Sequence, residues 1–282
     1  MDTRNDWQLK DLLSELMGAT AQTEPPPRQE IWASDLGKPY IDRWLQMKGV
    51  PYSNPPTGEG LMTFFLGKQI EIGIGQMLTR CGIAFRAQER VEVLVEGCLP
   101  VAGRPDLIAA VADWRAVREY AEQELATHGA ADTLPELEPL RRLLATWQAR
   151  HPQGLPCTVF EVKSLNSYAF RHHRGGEGLA NAYPHHHLQL YTYMRGLGLE
   201  EGHLLYVARD TGWIEEVTLH PTPELEQAWL EDVTQMSAYL LEDRRPPLEP
   251  LTVNGKDNWR VRYSRYHDYL YQEVQDHGAF AF

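Results

Sequence analysis

One short segment, CTVFEVKSL at 157–165, constrains the fold of this chain more than any other. Its apolar residues run almost without interruption, which is typical of a central strand buried on both faces of a sheet. Glu161 and Lys163 lie near its end, two positions apart, so both side chains project from the same face of the strand. Because ionisable side chains are costly inside a core, this pair at the end of a buried strand indicates a functional site.

The order of the predicted elements indicates an α/β fold. We expect a central mixed sheet of about five strands, flanked by helices, with the site at one end of the central strands. Alternating patterns predict the strands and helical spacing predicts the helices, one of which Ser34 is expected to cap. The predicted strands are 85–95, 100–111, 157–165, 203–209 and 213–218, and the predicted helices are 6–18, 34–47, 61–80, 184–196 and 222–242.

The length and composition suit one large domain. A chain of 282 residues, 43% of them hydrophobic, has room for one α/β domain with embellishments. We place an N-terminal helix and a proline-rich linker at 1–30 and the main domain at 31–282. The segment at about 115–150 is rich in Ala, Glu, Leu and Arg. It is longer than a hairpin requires, which predicts a helical insertion.

The sequence carries no sign of export or membrane insertion. Charges interrupt every apolar run near the N-terminus, so a signal peptide is not expected. No segment approaches the ~18 apolar residues of a membrane span. The three cysteines, Cys81, Cys98 and Cys157, form no CxxC pair, which favours reduced thiols over disulfides or a zinc knuckle. We therefore expect a cytoplasmic protein with no membrane partner.

The net charge of -12 argues against binding of polyanions by bulk electrostatics. A chain that acts on nucleic acid must therefore concentrate positive charge locally, and two stretches do so. The first contains Arg171, His172 and Arg174, and the second interleaves Arg260, Arg262 and Arg265 with aromatic residues. That composition suits phosphate contacts with base stacking, but a solvated helix face with aromatics turned to the core explains it equally well.

A second candidate for the site is Asp106, in the sequence GRPD. Hydrolysis of a phosphodiester near neutral pH needs a divalent cation, and carboxylates on rigid strands are its usual ligands. Asp106 and Glu161 would bind the cation, while Lys163 would position or help deprotonate the attacking water. Taken singly, Asp106 is better explained as a turn aspartate after proline, and the Glu161 and Lys163 pair is better explained as a surface ion pair across an edge strand. Together they favour a site.

GRPD, then EVKS, then QLYTY with Gln189 and Tyr193, resembles the RecB-like branch of the PD-(D/E)xK nucleases, which includes CRISPR-associated RecB-like exonucleases and phage exonucleases. The resemblance implies a restriction-endonuclease-like core and a DNA nuclease, more specifically an exonuclease. It implies one or two Mg²⁺ or Mn²⁺ ions held by Asp106, Glu161 and the Val162 carbonyl. Arg104 and Ser164, inside these motifs, become candidate nucleic-acid contacts.

Further roles follow from the same resemblance. Glu71, in GKQIEIG, stands where relatives carry a His or Glu near the metal, although a solvent-facing helix glutamate is the ordinary alternative. Gln189 and Tyr193 are four apart, hence on one helix face, and the family role implied is orientation of the site and contact with the nucleic-acid backbone. The alternative for that pair is a buried Tyr beside a surface Gln.

The sequence departs from the CRISPR-associated relatives at the positions of their iron–sulfur cysteines. Pro39, Val261 and Ser264 stand where thiolates would be needed. Since such clusters are held by thiolates, we expect no iron–sulfur cluster. Packing of the C-terminal aromatic residues against the early helix would have to replace it.

Two functions remain open at this point. One is a nuclease on single-stranded DNA or duplex ends, in recombination, repair, or phage or CRISPR DNA processing. A phage-encoded protein would act in the host cytoplasm. The other is a catalytically silent DNA-binding or scaffolding subunit of a recombination or CRISPR-adaptation complex. The insertion at 115–150 either guides a strand to the site or contacts a partner. No GxxxxGK[ST] loop is present, so ATP-driven motion would require a helicase, recombinase or other partner.

Overall fold

A computed structural model describes residues 9–19, 23–26, 28–80, 83–111, 119, 145, 146, 148–173, 178–253 and 255–276. The chain forms two compact units, each discontinuous in sequence. Unit 1 comprises Met1–Leu66, Leu94–Val101 and Ala228–Phe282, and unit 2 comprises Gly67–Val93 and Ala102–Gln227. Residue 31 is therefore not a boundary between these units. The predicted helical insertion lies almost entirely outside the described residues.

The helices and strands of the described residues are numbered here in chain order. The α-helices are α1 (Leu9–Ala19), α2 (Tyr40–Met47), α3 (Gly58–Arg80), α4 (Ser167–His173), α5 (Gly178–Ala182), α6 (Pro184–Leu197), α7 (Pro223–Leu241), α8 (Trp259–Arg262) and α9 (His267–Asp276). The strands are β1 (Ile31–Trp32), β2 (Ala84–Arg86), β3 (Val91–Val93), β4 (Val101–Gly103), β5 (Leu107–Val111), β6 (Leu155–Leu165), β7 (Gly202–Ala208), β8 (Ile214–Leu219), β9 (Thr252–Val253) and β10 (Lys256–Asp257).

A five-stranded mixed sheet forms the centre of unit 2, in the order β2-β5-β6-β7-β8. β6 and β7 are parallel, whereas the other neighbours are antiparallel. This confirms the predicted α/β class and the mixed sheet of about five strands flanked by helices. The predicted central position of the 157–165 strand is also confirmed, since β6 has a neighbour on each side.

Helix α6 packs closely on the sheet next to the site. Leu190 and Met194 of α6 are fully buried. A Cβ at Gly202, the first residue of β7, would lie 2.9 Å from the Met194 side chain, so the close approach of helix and strand requires a glycine there. This packing fixes the position of α6 relative to β6 and β7.

Three predicted elements were wrong in detail. The strand expected over 85–95 is two short strands, separated at Gln88, whose φ of 55° is left-handed. The strand expected over 100–111 is also divided, at the bend that contains Asp106. Ser34 does not cap a helix. It lies in a 3-10 turn over Ala33–Asp35, and α2 begins only at Tyr40 because Gly37 turns the chain with a φ of 72°.

Unit 1 has its own core. α2 contributes Ile41 and Leu45, which pack with residues near the C-terminus in one cluster. The predicted packing of C-terminal aromatics against the early helix is therefore confirmed. The other buried members of this cluster are Tyr52, Val261, Tyr266, Leu270 and Tyr271. A buried ion pair accompanies this core, in which Arg43 donates 2.7 Å and 2.8 Å hydrogen bonds to the two carboxylate oxygens of Asp232.

Within the described part of the chain, no helix has the length and apolar character needed to span a membrane.

Candidate active site

Strand β6 brings the first two candidate residues together. Glu161 and Lys163 alternate with Val162, so they share one face of the strand, and the Lys163 Nζ donates a 2.8 Å hydrogen bond to Glu161 Oε1. The Glu161 side chain is almost fully buried, whereas that of Lys163 keeps a fifth of its surface exposed. The amine thus sits at the mouth of the site with the carboxylate behind it.

Helix α6 adds two more of the predicted residues. Gln189 Nε2 donates to Glu161 Oε1 at 2.7 Å and to the Tyr193 hydroxyl at 3.1 Å. The Gln189 carbonyl oxygen in turn accepts a 2.8 Å hydrogen bond from Lys163 Nζ. The alternative of a surface glutamine is wrong, because Gln189 is buried. The hydrogen bonds hold Glu161 and Lys163 in one orientation.

Asp106 lies in the bend just before β5, beside Val162 in the second half of β6. Its Oδ2 accepts a 2.8 Å hydrogen bond from the backbone N–H of Val162, and its Oδ1 accepts one of 2.9 Å from Gln88 Nε2. Each carboxylate oxygen can accept more than one bond, so both keep capacity for a cation. Leu107, the residue after Asp106, pairs with Phe160 where β5 and β6 run antiparallel. This pairing fixes the position of Asp106 beside β6.

Glu71 on α3 completes a group of carboxyls. Its side chain forms an ion pair with Lys68 and lies close enough to Asp106 for the charge of Asp106 to act on it. Burial raises the pKa of Glu71, the negative charge of Asp106 raises it further, and Lys68 opposes the rise. Glu71 is therefore not the solvent-facing residue that its helix position allowed.

Glu161 combines burial with an unused oxygen. Burial raises the pKa of Glu161 to about 7, Lys163 opposes the rise, and the charge of Asp106 adds to it. Oε1 accepts the two hydrogen bonds described above, whereas the buried Oε2 has no hydrogen-bond partner in the described part of the protein. A buried carboxylate oxygen without a partner is costly unless something else satisfies it.

The donor set fits a hard cation that keeps other ligands. Among the described residues, no three His, Cys, Asp or Glu side chains are arranged to enclose an ion alone. Mg²⁺ is typically bound by one or two carboxylates, with water and substrate phosphate completing its shell. Asp106 and the free oxygen of Glu161 match that pattern. In an extended strand the N–H and C=O of one residue point to the same side, so the Val162 carbonyl lies on the Asp106 side of β6.

Two cavities lie beside β5, and Leu107 lines both of them. A groove of about 320 Å³ reaches Asp106, and Lys68, Glu71 and Gln88 are among its lining residues. A larger cavity of about 730 Å³ is lined by Phe160, whose side chain is on the face of β6 opposite Glu161. Asp106 and Glu71 line the smaller groove and do not line the larger cavity, so the smaller groove is the candidate approach to the site.

The candidate nucleic-acid contacts in unit 2 occupy different places. Arg104 has an exposed side chain. The backbone oxygen of Ser164 accepts a 3.3 Å hydrogen bond from Arg209. Arg171 and His172 are exposed on α4, which begins just after β6. Arg174 lies outside the described residues.

The three arginines of the C-terminal stretch belong to unit 1. Arg260 bonds the backbone oxygen of Gly37 and pairs with Glu249 at 3.3 Å. Arg262 lies 3.8 Å from Asp257, and Arg265 is over the ring of Tyr52 at 4.8 Å.

The aromatic residues of this stretch differ among themselves, since some are exposed and one is buried in the core. Tyr263 and Tyr269 are exposed, as stacking on a base requires. Tyr266 instead lies in the core of unit 1. The alternatives of stacking platform and core packing thus apply to different residues of the same stretch.

Two residues near the site, Gln88 and Lys68, were not predicted from the sequence. Gln88 belongs to none of the sequence motifs. Only its hydrogen bond to Asp106 in the folded protein shows that it lies near the site. Lys68 precedes Glu71 by one helical turn, a spacing at which opposite charges interact, so that pair was detectable.

Comparisons with known proteins leave the family open. No family model matches the chain, and no curated protein matches it. A solved structure titled "Crystal structure of SSO0001" is similar to this chain with a TM-score of 0.49 and 15% sequence identity, over 92% of this chain and 94% of that one. A likeness at this level says nothing about activity.

Proposed function

We propose that this chain is a metal-dependent DNA nuclease of the RecB-like PD-(D/E)xK type that hydrolyses phosphodiester bonds. One observation carries the proposal. Glu161, buried in the second half of a central strand, uses one oxygen for Lys163 and Gln189, its other oxygen has no partner among the described residues, and the charge of Asp106 acts on its carboxylate. A purely structural glutamate would have both oxygens satisfied or exposed to water.

Three residues would hold the cation directly, with a fourth nearby. Asp106, Glu161 and the Val162 carbonyl supply hard oxygen ligands, and Glu71 assists from α3. When bound, Mg²⁺ or Mn²⁺ lowers the pKa of a water molecule and neutralises negative charge on the phosphate. The burial of Glu161 supports this assignment. Solvent hardly reaches the buried carboxylate, so its negative charge is costly unless a cation compensates it.

Lys163 is suited to act on the attacking water or the phosphate. A lysine ammonium has three donors, and two of them bond Glu161 and Gln189 at 2.8 Å. The third is available to a substrate oxygen at the exposed side of the amine. A cationic donor held in a fixed position stabilises negative charge that develops during phosphodiester cleavage.

Helix α4 supports nucleic acid as the substrate class. Tyr168 is 73% exposed, and its ring stacks on that of His172 with an interplanar angle of 8°. Arg171 is exposed on the same helix. Exposed aromatic rings next to cationic side chains are the usual means of binding single strands without base specificity. Action at DNA ends, as an exonuclease in recombination, repair, or phage or CRISPR DNA processing, is the more specific form of the proposal.

The alternative is a catalytically silent DNA-binding or scaffolding subunit. The presence of Lys163 between two acceptors beside the carboxylates favours the enzyme, because a scaffold has no chemical need to hold an amine there. A silent subunit would bind DNA without any effect of Mg²⁺ on the DNA itself.

A cleavage time course tests the proposal. End-labelled linear DNA and circular DNA are incubated with Mg²⁺ or Mn²⁺ and wild-type protein, Lys163→Ala, Asp106→Ala, or Lys48→Ala as control. Lys48 forms an exposed ion pair with Asp243, so its loss should leave the rate unchanged. We expect both site variants to lose at least about 100-fold in rate. Equal rates in all four proteins, or no cleavage by the wild type, would contradict the proposal. Cleavage of linear DNA alone would identify an exonuclease.

A further inference from the structure

Gln88 has an unusual backbone for its residue type. Its φ of 55° lies in the left-handed region, which Gly, Asn and Asp adopt more readily than Gln. Among the described residues, Asp243 is the other non-glycine residue with positive φ. Since a long side chain gains nothing from this conformation, contacts elsewhere must hold Gln88 in it.

Two hydrogen bonds connect Gln88 with consecutive residues of the bend before β5. Its backbone N–H donates to the Pro105 carbonyl at 3.1 Å, and its side-chain Nε2 donates to Asp106 Oδ1 at 2.9 Å. The other oxygen of Asp106 accepts from the Val162 N–H. The carboxylate is therefore held by a donor on each oxygen, one from the sheet and one from Gln88.

The donor to Asp106 is the side-chain amide of Gln88, which is neutral. A neutral amide hydrogen-bonds a carboxylate without neutralising its charge, whereas a lysine or arginine would form an ion pair that competes with a cation. Gln88 also lines the groove that reaches Asp106. It thus orients the Asp106 carboxylate from the side where substrate would approach and leaves its charge available.

We infer that Gln88 is a positioning residue that fixes the orientation of Asp106 for cation binding. This inference rests on the proposed function, because it assigns the cation to Asp106. The left-handed backbone at Gln88 brings the amide to the carboxylate. Loss of an outer partner of a metal ligand typically weakens metal binding by about 10–100-fold.

Two variants separate the side chain from the backbone. Gln88→Met keeps the length of an unbranched side chain but removes the donor. Gln88→Gly removes the donor and also suits positive φ without strain. The matched control is Glu89→Gln on the same turn, where Glu89 forms an exposed ion pair with Arg86 at 2.8 Å.

The first readout is Mn²⁺ affinity, measured by titration calorimetry without DNA and followed by kcat and KM for cleavage. We expect the Mn²⁺ dissociation constant to rise about 10–100-fold in both Gln88 variants. The value of kcat should fall, KM for DNA should stay the same, and Glu89→Gln should match the wild type. Unchanged Mn²⁺ affinity in both Gln88 variants would overturn the inference.

The second readout does not need a metal. Because Asp106 also accepts from the Val162 N–H, a loosened carboxylate should speed hydrogen exchange of the Val162 amide in metal-free protein. If exchange at Val162 is unchanged in both variants, the positioning role is wrong whatever the activity. If exchange changes but the wild type binds no Mn²⁺ and cuts no DNA, the proposed function fails and the orientation of Asp106 by Gln88 stands.

Discussion

Gln189 on α6 faces Glu161 on β6, and its side-chain amide donates a 2.7 Å hydrogen bond to Glu161 Oε1. Lys163 donates to that same oxygen and to the carbonyl oxygen of Gln189, so the three side chains form a closed ring of hydrogen bonds. The ring fixes which oxygen of Glu161 stays without a partner. Strand β6 therefore supplies the Glu161 carboxylate, and helix α6 orients it through Gln189.

Removal of Gln189 should therefore affect both stability and activity. Gln189→Leu leaves donors and acceptors of the ring unpaired, which should cost about 1–3 kcal/mol in the free energy of unfolding. The kcat for DNA cleavage should also fall, because Glu161 and Lys163 lose their fixed orientation. Urea denaturation and steady-state kinetics measure the two effects.

Tyr193→Phe is the matched control for this prediction. It removes only the hydroxyl that Gln189 Nε2 contacts at 3.1 Å, so its effects on stability and kcat should be smaller. Wild-type kcat in Gln189→Leu would show that the ring does not orient the site.

The rate of cleavage should depend on the ionisation of Glu161. Burial raises the pKa of this residue to about 7, and only the ionised carboxylate binds a cation well. At a limiting concentration of Mg²⁺ we expect the rate to be about tenfold lower at pH 6 than at pH 8. A rate independent of pH over this interval would contradict the prediction.

The same pKa predicts how stability varies with pH in metal-free protein. The folded-state pKa of about 7 exceeds the ordinary value of 4.5, so the folded protein binds more protons between these values. The contribution of Glu161 to stability is therefore full below pH 4.5 and is lost as the pH rises through about 7. Glu161→Gln should remove this dependence, and denaturation of both proteins across that range checks it.

The exposed stack on α4 predicts a role in DNA binding. Tyr168→Ala should weaken binding of a single-stranded oligonucleotide in Ca²⁺ by a factor of about 5–150, since loss of one stacked base costs roughly 1–3 kcal/mol. Tyr168→Phe keeps the ring and should bind like the wild type. Fluorescence anisotropy measures the affinities, and equal binding by the alanine variant would show that α4 is plain surface.

Stability of unit 1 should depend on the buried ion pair between Arg43 and Asp232. Arg43→Ala leaves a buried carboxylate unpaired, which should cost about 3–5 kcal/mol in the free energy of unfolding. Replacing both residues, as Arg43→Met with Asp232→Leu, should restore most of the loss, because neither charge is then stranded. A double variant as unstable as the single one would show that the pair itself is stabilising.

Much of the sheet could be predicted from sequence because its signals are local. β6 is an apolar run almost without interruption, which is typical of a central strand, and Pro184 at the start of α6 marks the beginning of a helix. The breaks at Gln88 and at Asp106 were missed. In both cases tertiary hydrogen bonds between the two segments hold a conformation that β-propensity disfavours.

The candidate site shows the same division. Glu161 and Lys163 share a strand, so their spacing alone placed them on one face. The bonds from Gln189 to Glu161 and from Gln88 to Asp106 join residues distant in sequence, and no spacing rule reveals them. For Gln189 a resemblance of motifs supplied the expectation, whereas for Gln88 only the structure did.

The central claim is that Asp106 and Glu161 share one divalent cation. The most direct measurement is anomalous diffraction from a crystal soaked in Mn²⁺. We expect one peak about 2.0–2.3 Å from an oxygen of Asp106 and from the free oxygen of Glu161, and its loss in Asp106→Ala crystals. A peak elsewhere in the protein, or none beside these two carboxylates at saturating Mn²⁺, would contradict the account.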